Sequence, residues 1–528
     1  MSDRTPVDQL TESFVDIRWH LDPVEGSDAG RVQDDGRLGS FSDESVRQHL
    51  AALRSLMAAV EELEVSCLDD EIDRTALLYA IRVAEHRFRR EQPHHHNPGL
   101  WAGHALEALY QLLTVRDREP AALARAAAER LQAIPRFLEE ARATLTDCPR
   151  VLIEGAVAAL GAGGGLVTEV ETAFSGATGV AGGASAARDA LGSFATHLAG
   201  MLHGPTPEEP WGIGREALEF RLAHEHAMAA STEELLRYAG ALVAETEREL
   251  TALARTLGSA PWQDVMLRLR EDRVEPDLLV GTYRDALARA RGHVEEHQLA
   301  TVPGEVLEVR ATPPYAVPWI PVAAYQPPGP LAGDRSGVFL VTRPDGAGLG
   351  DHSQAGVAAT AVHEGFPGHH LHFLTTYRLP RNTRRLLHTS LTVEGWALYC
   401  EGLMDETGFY ANPDERFFRL VALLWRALRI PVDIGVHTGA LSYGAAVELL
   451  TTRLQLSRTR AEAEVRRAFD APGGQLAYAV GRREMLALRS AYLERAGPAG
   501  TVRAFHDALL AYGALAPSLI RWGLDLDG

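Results

Sequence analysis

The chain has 528 residues, of which 46% are hydrophobic and 23% charged, a composition typical of a soluble globular protein with a sizeable core. Its 52 basic and 71 acidic residues give a net charge of −19, which argues against non-specific binding to nucleic acid or anionic membranes. All the basic residues are Arg. A lysine Schiff base and a Walker-type GK[ST] loop are therefore excluded, and we expect neither a nucleic-acid nor a membrane partner.

Cysteine usage and the N-terminal sequence bear on the compartment. Cys67, Cys148 and Cys400 lie far apart and form no CxxC pair, which favours reduced thiols over a disulfide framework. The N-terminal sequence MSDRTPVDQL lacks the apolar core of a signal peptide. The uncharged run Gly155–Val167 is too short and too rich in glycine to span a bilayer. We therefore expect a soluble, cytoplasmic protein.

Helical periodicity dominates the first part of the chain. Apolar residues recur at three-four spacing from Val46 to Leu63, and Ser231 with Glu234 forms a capping box for a helix that Gly258 is placed to end. The glycine-rich segment Gly155–Gly183 lacks a nucleotide-binding context, so it indicates a flexible loop or a close helix contact. These patterns predict a helical N-terminal half over residues 1–300.

Prolines and short extended pieces follow. VLEVR, PWIPVAAY and GVFLVT predict a Pro-rich β insert over residues 301–345, before helical periodicity returns over residues 346–528. We expect the three segments to form one composite domain. The GVFLVT strand, residues 337–342, could be an edge strand that pairs with an extended substrate, or a plain core strand.

The first chemistry-bearing motif is AATAVHEGFPGHHLHFL, residues 358–374. His363-Glu364 resembles the start of an HExxH zinc helix, in which two histidines four residues apart bind one ion and the glutamate is the general base. Position +4 here is Pro367, so an unbroken helix cannot supply the second ligand. The motif therefore indicates a metal centre only if the helix is interrupted; otherwise it is a histidine-rich turn without metal.

A helix break at Pro367-Gly368 would supply that interruption. Proline removes the hydrogen bond to the carbonyl of His363, and glycine tolerates unusual backbone angles. In a continuous helix His370 would return to the face of His363 but lie about 10.5 Å further along the axis. A kink could instead bring His369 back, and the pattern leaves the choice between His369 and His370 open.

A second motif, TVEGWALYCE, begins 23 residues after His369. Glu394 has the spacing and the apolar flanks of a glutamate that provides a third protein ligand from the next helix. Glu401 is seven residues further on the same face and could orient a ligand histidine. The alternative is an amphipathic helix with ordinary surface carboxylates.

With these motifs, the chain resembles the bacterial family catalogued as domain of unknown function 885, which is grouped with zinc metallopeptidases of the HExxH type. The resemblance rests on HEGFPGHHLH, on VEGWALYCEGL and on two later stretches, residues 429–437 (RIPVDIGVH) and residues 464–481 (EVRRAFDAPGGQLAYAVG). Ala468 stands where the family usually has an aromatic residue. The resemblance thus predicts a mainly α, metallopeptidase-like fold with a small β-rich insert beside a zinc cleft.

Carried over to this sequence, the resemblance implies a zinc ion and a set of site residues. It assigns the ligands to His363, His369 and Glu394, the general base to Glu364, and the lining of the site to His437, Arg467 and Tyr478. Hydrolysis also needs oxyanion donors, which His437 or Tyr478 could supply, and Arg467 or Arg429 could hold a substrate carboxylate. Each of these four could equally be structural, the arginines in salt bridges and Tyr478 in the core.

Two further histidine groups are weighed against this centre. His293-Val-Glu-Glu-His297 matches the inverted HxxEH zinc motif, but its helix is polar on nearly every side and no third-ligand helix follows, which favours a solvated face. His94, His95 and His96 form a proline-bounded loop that could trap metal during purification.

The sequence thus predicts a zinc-dependent hydrolase that cleaves an amide bond in a small peptide or an amino-acid conjugate. A second hypothesis is that the same zinc scaffold catalyses a non-peptidase reaction in small-molecule metabolism. A third is a helical binding protein with a vestigial metal site.

Overall fold

The computed structural model describes residues 4–204, 212–259, 261–317, 320, 322–343 and 352–526. The predicted boundary between the β insert and the second helical part, at residues 345 and 346, lies outside these residues. Of the chain, 71% is helical and a single small sheet accompanies the helices. The predicted mainly α fold with a small β insert is therefore confirmed.

Thirteen helices precede the sheet in the described part of the chain. They are α1 Pro6–Leu21, α2 Pro23–Asp28, α3 Asp43–Glu61, α4 Leu68–His86, α5 Pro93–His96, α6 Pro98–Thr114, α7 Pro120–Thr144, α8 Arg150–Ala173, α9 Val180–Met201, α10 Arg215–His224, α11 Thr232–Thr256, α12 Trp262–Glu271 and α13 Leu279–Glu296. A π-helical turn, Arg87–Glu91, connects α4 to α5. The predicted capping box at Ser231 and Glu234 starts α11, and Gly258 follows its end with a φ of +85°.

Most of the glycine-rich segment is helical, in α8 and α9, with a turn over residues 174–179 between them. Within these helices the close helix contact is right and the flexible loop is wrong. A Cβ on Gly183 of α9 would lie 3.0 Å from the Cβ of Leu131 in α7, and one on Gly163 of α8 would lie 2.6 Å from a methyl group of Leu106 in α6. Glycine lets these four helices approach closely. By length and composition alone, α8 could also cross a membrane, a test that core helices of soluble proteins pass as well. Its residues Ile153 and Val167 pack in the core of this part of the chain.

The sheet has three strands, β1 Leu307–Ala311, β2 Ala323–Gln326 and β3 Gly337–Val341, in the order β1-β3-β2. β3 runs parallel to β1 and antiparallel to β2. The edge-strand interpretation of GVFLVT is therefore wrong, because β3 is central. Its alternate side chains enter two apolar clusters, Phe339 and Val341 on one face and Val338 and Leu340 on the other, which accounts for the unbroken apolar run.

Ten helices follow the sheet in the described residues. They are α14 Gln354–Glu364, α15 His369–Thr376, α16 Asn382–Leu386, α17 Ser390–Glu406, α18 Pro413–Thr438, α19 Tyr443–Leu454, α20 Arg458–Asp470, α21 Ala477–Ala496, α22 Val502–Leu510 and α23 Pro517–Gly523. Phe14 and Leu77 from the first part share a core with Trp396 and Phe505. Helices from both ends of the chain therefore surround α17.

Helices α17 and α21 approach each other through a pair of glycines. A Cβ on Gly395 would lie 2.5 Å from the Cα of Gly481, so neither position has room for a side chain. This contact places Glu394, on α17, against the start of α21, where Tyr478 lies.

Candidate metal centre

The HE helix ends where proline and glycine predict a break. α14 ends at Glu364 and α15 begins at His369, so the interruption is confirmed. A Cβ on Gly368 would lie 2.0 Å from the carbonyl oxygen of His363, which makes glycine necessary at this position. The indole N–H of Trp396 donates to the carbonyl of Pro367 at 2.8 Å and ties the turn to α17. The break is thus held by packing as well as by the local sequence.

The turn brings His369 back beside His363, and both face Glu394. The Nε2 atoms of His363 and His369 lie 3.5 and 3.4 Å from Oε2 of Glu394, and the two imidazole centroids are 4.8 Å apart. One donor atom from each residue lies within 4.8 Å of the others. The neighbouring His370 points elsewhere, with its Nδ1 3.1 Å from the hydroxyl of Tyr325 in β2. The geometry therefore favours His369 over His370.

Glu401 stands behind the first histidine. Its Oε1 lies 2.8 Å from Nδ1 of His363, and the carboxylate is buried. Metal-binding histidines commonly donate their second ring N–H to such a carboxylate, which fixes the tautomer and aims Nε2 at the ion. Since α17 carries both glutamates seven residues apart, two helical turns place one at the centre and the other behind it.

The electrostatics of the centre are those of a cation site. Burial lowers the pKa of His363, but the carboxylates of Glu394 and Glu401 outweigh it and raise that pKa to about 9. Burial raises the pKa of Glu394, whereas His369 and His363 lower it well below its usual range. Oε2 of Glu394 is buried and makes no hydrogen bond within the described residues. Two imidazoles and a carboxylate with an unsatisfied oxygen fit a zinc ion.

Glu364 and Tyr478 lie at the rim of this centre. Glu364 ends α14, next to His363. Burial is the main cause of the raised pKa of the Tyr478 hydroxyl, and the negative charges of Glu394 and Glu364 raise it further. The Tyr478 ring lies parallel to the His363 ring with centroids 6.3 Å apart. The raised pKa keeps the hydroxyl protonated, so it can serve as a hydrogen-bond donor.

Arg429 reaches the same region from α18. Its guanidinium lies 4.7 Å from the centroid of the Tyr478 ring and donates to Oε2 of Glu464 at 2.7 Å. Arg467 pairs with the other oxygen of Glu464 at 3.1 Å, and about half of its side chain is exposed. Both arginines therefore have an acidic partner already, and only Arg429 contacts a residue of the centre.

The structure does not bring His437 to the centre. Its Nε2 donates to the carbonyl of Ala468 at 2.9 Å, and its Nδ1 accepts from the N–H of Ile213 at 3.4 Å. Since both ring nitrogens are used by backbone groups, His437 has no free donor for an oxyanion. The proposed donor role is corrected to a structural one, and the imidazole joins α18 to α20.

The other two histidine groups differ in whether they form a set of possible metal ligands among the described residues. His293 contacts the hydroxyl of Thr407 at 2.9 Å and stacks on His297, and the two belong to no metal-ligand group in the described chain. His94 and His95 do form such a group with Asp43, a partner that sequence spacing could not indicate because it lies 51 residues earlier. Tyr325, the partner of His370, was also missed, since its position depends on the strand order.

Comparison with known proteins identifies the family and the fold. The chain belongs to the bacterial family of unknown function DUF885, whose profile matches residues 23–523. The search of curated proteins found no match.

Two solved structures share the fold. A lipoprotein candidate of unknown function from Shewanella oneidensis matches with a TM-score of 0.79 and 19% identity, over 99% of this chain and 100% of that one. A lipoprotein candidate from Colwellia psychrerythraea matches with a TM-score of 0.84 and 18% identity, over 98% and 99%. Identity this low shows the fold alone. The expected cytoplasmic location stays a prediction.

Proposed function

We propose that this protein is a zinc-dependent hydrolase that cleaves an amide bond in a small peptide or an amino-acid conjugate. The observation that carries the proposal is the convergence of His363, His369 and Glu394 beside Glu364, with Glu401 behind the first histidine. This set of residues combines three ligands for zinc with a carboxylate that is adjacent in sequence to one of them.

The three ligands would hold the ion. When bound, zinc supplies a Lewis acid that polarises a carbonyl and makes water acidic enough to react near neutral pH. Glu401 keeps His363 oriented through the hydrogen bond to Nδ1. The break at Gly368 keeps His369 on the side of His363, so the geometry of the pair does not depend on a flexible loop.

Proton transfer and hydrogen bonding to the substrate are then the roles of Glu364 and Tyr478. Glu364 removes a proton from the attacking water and transfers it to the leaving amine. The hydroxyl of Tyr478, protonated because burial raises its pKa, donates a hydrogen bond to the oxyanion that develops at the carbonyl. Arg429 holds the Tyr478 ring in place through its contact with the ring face.

The decisive experiment compares Glu364→Gln with Glu296→Gln, a change at an exposed position on α13. Zinc content and hydrolysis of a panel of dipeptides and N-acyl amino acids are measured for both and for the wild type. Glu364→Gln should keep its zinc and lose about 100-fold to 10,000-fold in rate, because only the general base is removed. Glu296→Gln should match the wild type. Zinc-loaded wild type without any amide hydrolysis would reject the proposal in favour of a different reaction on the same centre.

A further inference from the structure

A second site is indicated by a deep cavity of about 410 Å³ at the start of α17. Arg87, His388 and Ser390 contribute to its polar lining, and Phe14, Phe41 and Phe88 to its apolar lining. Apolar and polar residues both line the cavity, and its volume is that of a pocket for a small organic ligand. Helix α17 begins in this cavity, and Glu394 follows Ser390 by one helical turn.

Arg87 is the outstanding group in this cavity. The residue begins the π-helical turn between α4 and α5, and its guanidinium lies 5.6 Å from the centroid of the Phe88 ring. It makes no ion pair or side-chain hydrogen bond with any described residue. Arg87 is exposed to solvent and lines the cavity, so a ligand can reach it. A guanidinium without a carboxylate partner can pair with a ligand that brings the negative charge.

The acidic residues of the cavity do not supply that charge. Glu25 accepts from Nε of Arg18 at 2.9 Å, and Glu225 accepts from Arg221 at 2.8 Å. Asp470 accepts from the amide of Asn97 at 3.1 Å, and Asp22 accepts from the backbone N–H of Glu25 at 3.0 Å. Each of these carboxylates therefore has a donor of its own, which leaves Arg87 as the cation without a partner.

The neighbours of Arg87 are suited to an anion as well. His388 lines the same cavity, and an imidazole can donate a hydrogen bond from a ring N–H. His49 is buried, and its Nδ1 makes no hydrogen bond in the described part of the chain. The first N–H groups of α17 add the positive end of a helix dipole.

We propose that this cavity binds the carboxylate of a small organic acid with an apolar body, and that Arg87 pairs with the carboxylate. A planar guanidinium binds a carboxylate through two parallel hydrogen bonds, and the half-buried Ala80 and Val83 of the lining provide surface for the apolar part. The binding site stands independently of hydrolysis. That the bound carboxylate belongs to the substrate of the hydrolase rests on the proposed function, and the reason for this link is that helix α17 runs from the cavity to Glu394.

The test is calorimetric titration of zinc-loaded protein with N-acetylphenylalanine and with its uncharged amide as probes. Wild type should bind the acid at least tenfold more tightly than the amide. Arg87→Gln should reduce binding of the acid to the level of the amide, whereas Arg90→Gln, an exposed position on the same turn, should bind as the wild type does. Equal binding of acid and amide by the wild type, or unchanged binding by Arg87→Gln, would overturn the proposal.

Two further measurements test the alternatives that the carboxylate binds to zinc and that Arg87 has only a structural role. Preference for the acid should persist in His369→Ala protein; its disappearance there would place the carboxylate on the metal and overturn the proposal. The melting temperature of Arg87→Gln should stay nearly unchanged, because Arg87 is exposed and makes no ion pair or side-chain hydrogen bond with the described residues. A fall in melting temperature would instead assign Arg87 to the stability of the fold. Both readouts are independent of turnover, so an absence of amide hydrolysis would reject the proposed function and leave this result standing.

Discussion

Two groups of two histidines and one carboxylate can be compared in this molecule. The candidate metal centre consists of His363, His369 and Glu394, and the surface histidine group consists of Asp43, His94 and His95. The side chain of Glu394 is 22% exposed, whereas that of Asp43 is 67% exposed. Donor composition is the same in both groups, so the difference lies in what surrounds the carboxylate.

The surroundings change the charge state of the histidines in opposite directions. Carboxylates on two sides raise the pKa of His363 to about 9, while burial, followed by repulsion from His95, lowers the pKa of His94 to about 4. Glu401 orients His363, but Nδ1 of His94 is buried without a hydrogen-bond partner in the described chain. We therefore expect the candidate metal centre to bind a cation more firmly than the surface histidine group, because a second buried carboxylate, Glu401, stands behind it.

The largest effect is expected from removing the central carboxylate. Glu394→Ala should lose the zinc that untagged wild type retains at about one ion per chain, because three protein ligands hold the ion in a site of this type. Replacement of His94, His95 and His96 by Ala should leave that zinc in place. Metal analysis of the purified proteins, with circular dichroism to verify folding, makes the comparison. Zinc lost with the surface histidines instead would reverse the ranking of the two groups.

A smaller loss of zinc affinity is expected when Glu401, the carboxylate behind His363, is changed. Glu401→Gln keeps the shape of the side chain but removes the charge that orients His363, so zinc affinity should fall about 10-fold to 100-fold. Competition with a chromogenic chelator measures the change. Glu406→Gln, at the exposed end of the same helix, is the matched control. An unaltered affinity in Glu401→Gln would mean that the hydrogen bond to Nδ1 does not support the centre.

The third prediction concerns stability and the packing of α17 against α21 beneath the centre. Gly395→Ala would place a Cβ 2.5 Å from the Cα of Gly481, so α17 and α21 must separate, at a cost of about 1–3 kcal/mol in the free energy of unfolding. Gly402→Ala, where the nearest atoms of Arg482 are 3.7 Å away, should cost less than 1 kcal/mol or stabilise the helix. Urea denaturation of both variants decides whether the glycine pair is required.

The pH dependence of metal binding should also distinguish the two groups. With its pKa raised to about 9, His363 is protonated in the metal-free protein at pH 7, and the ion must displace that proton. Zinc affinity at the centre should therefore rise about tenfold per pH unit from pH 7 and level off above pH 9. His94, with a pKa of about 4, is already neutral and adds no such dependence at the surface group. Titrations at several pH values, in wild type and in Glu394→Ala, measure both slopes.

The smallest effect is expected at the surface group itself. Asp43 and His95 make a hydrogen bond of 2.7 Å between exposed partners, and such contacts contribute about 0–1 kcal/mol to stability. Asp43→Asn should therefore leave the melting temperature nearly unchanged. A loss of several degrees would indicate that the group holds α3 against α5 more firmly than its exposure suggests.

Much of this picture could be predicted from local sequence. The capping box at Ser231, the helix break at Pro367-Gly368 and the three strands follow from short-range rules that hold wherever the segment lies. The spacing of Glu394 and Glu401 also placed both on one face of a helix. Local patterns failed where a partner was distant. The acceptor of the His437 N–H is the carbonyl of Ala468, and no spacing rule indicates that contact.

The sequence by itself determined that the chain is mainly helical, where the HE helix breaks and which residue types are available for a metal, because those properties depend on neighbours along the chain. Only the tertiary structure decided that His369 faces Glu394 while His370 faces Tyr325, that β3 is central, and that Arg87 stands unpaired in a cavity. These outcomes depend on contacts between segments tens to hundreds of residues apart. Such contacts are set by the packing of whole helices and by burial, which no local pattern of residues specifies.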